Sequence, residues 1–183
     1  MTIIIMLTLV ACVCYIAFEK VKVTSYLNNV ASRNPLFTIG TIALLACWVM
    51  TGFVYWNDGN LGPLSCKVRV ILGIIAVIAA LALYVYILVF ALPKGTYTDD
   101  NVQSSLATEG LYGMCRHPGF YGFTITALAI SLLIGSGMGF VILMVHSLLN
   151  LIYIIMQDKY YFPVYLEGYD EYKKTVPFLA FWR

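Results

Sequence analysis

Charge is scarce in this chain: Lys, Arg, Asp and Glu make up 11% of its 183 residues, against 61% hydrophobic residues. Soluble domains carry about 25% charged residues, so a water-soluble globular fold is improbable, and a mean hydropathy of +0.86 points the same way. The formal charge of +2 is too small to imply a nucleic-acid partner. Histidine is nearly absent, with two residues, and the five cysteines (Cys12, Cys14, Cys47, Cys66 and Cys115) show no CxxC spacing. With no HExxH and no Cys/His cluster, neither a metal site nor a disulfide framework is expected. Internal repeats are also lacking.

What the sequence has is apolar length. Its longest uncharged stretches run from Thr2 to Phe18, Pro35 to Trp56, Val70 to Leu92, Pro118 to Gly137 and Gly139 to Met156. A bilayer-spanning helix needs about 20 apolar residues, so the expected fold is all-α, an integral membrane protein with five transmembrane helices. Gly135-Ser136-Gly137-Met138-Gly139 separates the last two, which predicts a helical hairpin turned by glycine. The chain reads as one structural domain, with transmembrane helices 1–3 in residues 1–92 and a loop, helices 4–5 and a tail in residues 93–183. The first span reads as a retained helix rather than a signal peptide, because no basic residue precedes it and no small-x-small site follows.

Basic residues set the expected orientation. An external N-terminus leaves Lys20, Lys22, Arg33, Lys94, Arg116, Lys159, Lys173, Lys174 and Arg183 in the cytoplasm and only Lys67 and Arg69 opposite. The loop beginning at Pro93 and the tail beginning at Gln157, which hold most of the polar residues, then share the cytoplasmic face of a bacterial inner membrane or an endoplasmic reticulum.

The loop ends in Thr108-Glu109-Gly110-Leu111-Tyr112-Gly113-Met114-Cys115-Arg116-His117-Pro118-Gly119-Phe120-Tyr121-Gly122. Pro118 suits the first turn of a helix, whose N-terminus lies beside Arg116 and His117 and would favour a carboxylate. The same two residues can also be read as headgroup anchors. On the fifth span His146, Asn150, Tyr153 and Gln157 fall at i, i+4, i+7 and i+11 and share one face. A polar stripe at membrane depth marks a substrate path, with His146, Asn150 and Tyr153 as substrate contacts, or interhelical hydrogen bonding to Thr124 or Thr126. Seven aromatics from Tyr160 to Phe178 fit an interfacial belt or the walls of a pocket.

Thr108-x-Gly110-Leu111-Tyr112-x-x-x-Arg116-His117-Pro118-x-Phe120-x-Gly122 and Tyr169-x-x-Tyr172-Lys173-Lys174-x-Val176-Pro177 resemble two motifs of the membrane methyltransferases that include isoprenylcysteine carboxyl methyltransferase and phosphatidylethanolamine N-methyltransferase. The resemblance covers roughly residues 93 to 183. It implies S-adenosylmethionine as cofactor, held by Leu106, Ala107, Gly110, Tyr112, Arg116, His117, Pro118, Gly119, Phe120, Gln157 and Asp158, and a lipid-like or other apolar small-molecule substrate. The family ends its last span on a pair of glutamates, where this chain has Gln157 and Asp158. Tyr153 stands where the prenylcysteine enzymes place an arginine, so a prenylcysteine carboxylate is not expected. No catalytic base and no metal are assigned. Two other readings stay open: a sterol-reductase-like NADPH enzyme, whose Asn and trailing Glu are missing here, and a non-enzymatic scaffold or transporter.

Overall fold

The computed structural model describes residues 1–28, 34–56, 64–87, 89 and 106–179, and among these every regular element is helical. The long helices are α1 (Thr2–Leu27), α2 (Leu36–Tyr55) and α3 (Cys66–Tyr86), followed by the short α4 (Leu111–Met114), then α5 (Pro118–Ile134) and α6 (Gly137–Met156). A π-helical turn, Gln157–Tyr161, prolongs α6 into α7 (Phe162–Tyr165), and α8 (Tyr169–Thr175) closes the described chain. Four helices are long and apolar enough to cross a membrane: α1, α2, α3 and the continuous rod Gly137–Tyr165. The expected fourth span, α5, is apolar but has 17 residues. At 1.5 Å per residue it is about 25 Å long, somewhat less than the ~30 Å hydrocarbon core.

Several boundaries differ from expectation. The first helix does not stop at Phe18 but continues to Leu27, so Glu19, Lys20 and Lys22 lie on a helix rather than in a loop. The expected end of the third span at Leu92 and most of the loop from Pro93, with Lys94, lie outside the described residues, as do Arg33 and Arg183. The hairpin is tighter than the five-residue Gly135–Gly139 segment. Gly135 caps α5 with φ of 74°, donating its N–H to Ser131 O, and Ser136 caps α6 by accepting the Gly139 N–H at 3.1 Å. Only the first of the three glycines needs a left-handed backbone.

Lipid offers no hydrophobic force to press helices together, so close approach of small residues must do it. That is what the interior contains. Ala127, Ala129, Ser131 and Cys47 are fully buried, whereas Ile71, Ile75, Ile78 and Leu81 form an exposed apolar stripe along α3. α3 packs antiparallel on α5, which packs on α6, and α1 pairs with α2. A Cβ on Gly73 would meet Leu133 at 2.8 Å, and one on Gly40 would meet Cys14 at 3.1 Å. The helix C-termini of α1, α3 and α6 and the N-termini of α2 and α5 gather at one end. There α8 folds back. Tyr169, Tyr172 and Val176 pack with Leu106, Phe162 and Leu166, the Tyr172 hydroxyl donates to Tyr112 O at 2.6 Å, and Arg116 N–H donates to Pro177 O at 3.0 Å.

The π turn follows from Pro163. A proline has no N–H and its ring collides with the carbonyl four residues earlier. Widening the preceding turn, so that the Phe162 N–H reaches Gln157 O, lets the helix pass the proline. It also rotates Asp158 inward, leaving Lys159 and Tyr160 exposed.

Candidate active site

Asp158 is the hub of the polar end. Its carboxylate is buried, accepts the Tyr169 hydroxyl at 2.6 Å on Oδ1, and lies 3.2 Å from Arg116 Nη1 and 3.4 Å from His117 Nε2. Lys173 Nζ stands 3.9 Å from Oδ2. Two separate stretches of sequence, 116–117 before α5 and 157–158 after α6, thus meet because α5 and α6 form a hairpin. Arg116 and His117 are not headgroup anchors: their side chains are 9% and 6% exposed. The rings of Phe162 and Phe178 lie 5.8 Å and 4.9 Å from the His117 imidazole, and the Arg116 guanidinium sits 5.6 Å over Phe178.

These two side chains lie against Asp158 but are not saturated. Nε and Nη1 of Arg116 and Nε2 of His117 are buried and make no aligned hydrogen bond among the described residues, although Nη1 and Nε2 lie 3.2 Å and 3.4 Å from Asp158 Oδ1. Buried donors without acceptors are costly, and in a native structure they call for a ligand. Burial pushes the His117 imidazole below its ordinary value, outweighing the opposing pull of Asp158. Burial, followed by the hydrogen bond to Asp158, pushes the Tyr169 phenol up, so it stays a donor. The Tyr172 phenol and the fully buried Cys115 thiol are pushed up to about 12 and about 11 by burial.

The backbone around the cluster leaves room. Pro118 opens α5 and is buried, while a Cβ on Gly119 would meet nothing within 4 Å. Gly110 has φ of 59°, and a Cβ there would meet the Tyr86 hydroxyl at 2.9 Å. Leu106 packs against the α8 aromatics, Ala107 and Tyr112 are half-buried, and the Phe120 ring lies 5.9 Å from Tyr121.

Below the cluster, within the helices, lies an apolar cavity of ≈ 170 Å³ walled by α1 and α6 with Leu44 of α2 and Phe123 of α5. His146, Asn150 and Tyr153 all line it. His146 is held by the other helix pair rather than by Thr124 or Thr126. Trp48 Nε1–H donates to His146 Nδ1 at 3.1 Å, and Nε2 lies 2.9 Å from Thr8 Oγ1. An indole can only donate, so Nδ1 carries the lone pair and Nε2 the proton. Thr8 then accepts from His146 and donates to Ile4 O. Asn150 has no hydrogen-bond partner among the described residues.

A buried carboxylate, an arginine and an imidazole thus meet at one end of the helices, and an apolar cavity lies between α1 and α6. The model of the phospholipid methyltransferase family matches residues 68–164, more than half the chain. The chain belongs to the phospholipid methyltransferase family. No curated protein and no solved structure matches it. The matched region starts within α3 and ends in α7, so it contains Arg116, His117 and Asp158 but not the Tyr169–Pro177 motif. Membership makes the chain a membrane methyltransferase, and its four long apolar helices make it an integral membrane protein.

One buried polar residue lies outside both sequence motifs. Glu19 on α1 is 1% exposed. Its carboxylate accepts the Tyr153 hydroxyl at 2.7 Å, the Gln157 Nε2–H at 2.6 Å and the Tyr165 hydroxyl at 3.0 Å. The signal that finds it is general: an acid on a membrane helix is expensive and marks a site. The uncharged stretch ends at Phe18, one residue short of Glu19, while the helix runs on to Leu27, so apolar run length alone does not reveal it.

Proposed function

We propose that the protein transfers a methyl group from S-adenosylmethionine to a lipid-like or other apolar acceptor held in the cavity between α1 and α6. The observation that carries this reading is the trio of buried nitrogens, Nε and Nη1 of Arg116 and Nε2 of His117, that make no aligned hydrogen bond among the described residues. They are matched in number and chemistry to an amino-acid carboxylate. Bound there, the cofactor supplies an activated methyl group on its sulfonium.

The protein's own part is binding, orientation and exclusion of water. Asp158 Oδ1 holds Arg116 and His117 beside each other, and the guanidinium edge at Arg116 Nε, which has no hydrogen-bond partner among the described residues, receives the carboxylate. Gln157 and Asp158 Oδ2 are acceptors for the amino group or ribose. Tyr112 and Phe120 flank the adenine or sulfonium, with Leu106, Ala107, Gly110, Pro118 and Gly119 completing the wall. His146, Asn150 and Tyr153 line the acceptor's path. Its neutral Nε2–H tautomer, fixed by Trp48 and Thr8, gives His146 no free lone pair toward the cavity, so it shapes the path rather than removing a proton. Alignment of reacting groups in a dry site is worth roughly 7–11 kcal/mol of barrier, and no metal enters the scheme.

In the membrane, α5 is the fourth of five spans in chain order, short but flanked by α3 and α6, and the N-terminus lies outside. The charge asymmetry supports this orientation, with the site and the tail in the cytoplasm. Isothermal titration of S-adenosylmethionine into the purified protein and into His117→Ala tests the site, with binding to the first and at least roughly tenfold loss in the second expected. Equal affinity would remove His117 from it. Incubation with radiolabelled cofactor and membrane lipid extract tests the acceptor: label is expected in the organic phase, and label confined to the aqueous phase would rule out a lipid.

A further inference from the structure

Glu19 joins the two halves of the site. Tyr153, one of its donors, lines the cavity; Gln157, another, is the chain neighbour of Asp158; Tyr165, the third, lies on α7. Lys22, one turn further along α1, places its ammonium 4.8 Å over the Tyr165 ring. A carboxylate that costs this much to bury, on a helix remote in sequence from the cluster, does something that an apolar residue would not.

Its effect on Gln157 can be read from hydrogen-bond chemistry. A carboxylate only accepts, so the amide atom 2.6 Å from Glu19 Oε1 is the NH2 group. The amide is thereby fixed in one of its two orientations, with Oε1 turned away from Glu19 and without a hydrogen-bond partner among the described residues. The same carboxylate orients the Tyr153 hydroxyl, which spends its proton on Glu19 Oε1 and keeps its lone pairs for the cavity side. A negative charge at the NH2 end of an amide also polarises it, strengthening the carbonyl oxygen as an acceptor.

We propose that Glu19 is a positioning residue that fixes Gln157 as a hydrogen-bond acceptor for the α-ammonium of the cofactor. Negative charge on α1 thus reaches the ligand through a neutral amide, and the first and last long helices of the chain cooperate in one binding event. The proposal rests on the S-adenosylmethionine reading above.

The test is calorimetric binding of S-adenosylmethionine and of its analogue lacking the α-amino group to the full-length protein in nanodiscs. Glu19→Gln, in which the position 157 amide is free to turn, is expected to lose roughly tenfold in affinity for S-adenosylmethionine, the worth of one hydrogen bond to a charged group. Its affinity for the analogue should stay that of the wild type. The exchange Glu19→Gln with Gln157→Glu keeps one carboxylate and one amide at the same spacing and is expected to restore binding, which also covers the case in which the single variant does not fold. Equal loss for both ligands would make Glu19 a merely structural residue and overturn the proposal, as would unchanged binding in Glu19→Gln or failure of the exchange to restore it. A wild-type protein that binds neither ligand overturns the cofactor reading itself, a result distinct from these.

Discussion

His117 is the residue at which burial and function pull against one another. Its imidazole faces Asp158 at 3.4 Å, which favours protonation, yet sits beside Arg116 in a buried pocket, and burial wins, lowering its affinity for the proton below the ordinary value of 6.5. The native protein therefore takes up the proton at lower pH than the unfolded chain does. Stability from this group is complete above about pH 6.5 and is lost as pH falls from there through the folded value. Thermal midpoints measured from pH 7.5 to 5 should fall on the acid side in the wild type and fall less steeply in His117→Asn. Parallel curves would show that His117 is not the titrating group. Sequence placed Arg116, His117 and Asp158 in a site, because their motif spacing is visible. Glu19 was not legible in the same way, since its three partners lie 134 to 146 residues away.

Among the elements, the α5–α6 hairpin positions the chemistry. Its turn puts residues 116–117 and 157–158 at the same end of adjacent helices, and Gly135 makes the turn possible. At φ of 74° an added Cβ is strained, and here it would also overlap the Arg69 guanidinium, which packs on the end of α5. Gly168 provides the comparison, with φ of 77° and nothing within 4 Å of an added Cβ. Gly168→Ala should cost only the backbone strain, about 1–2 kcal/mol. Gly135→Ala should cost more, as a lower thermal midpoint in the same membrane mimetic, because Arg69 must also move. Equal costs would mean that Arg69 yields freely. The sequence announced this hairpin through its glycines, but not the π turn, which arises where Pro163 meets a helix that tertiary contacts continue beyond Met156.

For the whole molecule, the arrangement in the membrane can be read from two cysteines at opposite ends. Cys66 is exposed at the start of α3, beside Lys67, on the face proposed to lie outside; Cys115 is fully buried at the other end, its thiol pushed up to about 11 by burial. Thiolates are the reactive form. A membrane-impermeant maleimide applied to intact cells is expected to modify Cys66 and to leave Cys115 unmodified, as read by mass spectrometry of the cysteine-containing peptides. Modification of Cys66 only after the membrane is opened would reverse the orientation.

Composition and apolar run length by themselves determined that this chain lives in a bilayer as a set of helices, because the cost of leaving backbone groups unpaired in lipid admits little else. Local motifs determined its family and the placement of Arg116, His117 and Asp158, since a proline-started helix and a hairpin bring fixed spacings to fixed places. Tertiary structure alone decided what the polar stripe on α6 does. Periodicity puts His146, Asn150, Tyr153 and Gln157 on one face but is silent on what that face meets. Packing of α1 and α2 against it turned His146 into a bonded partner of Trp48 and Thr8, left Asn150 in a cavity, and delivered Glu19 to Tyr153 and Gln157. Such pairings are set by which small residues let helices approach, a property of facing surfaces that one strand of sequence does not carry.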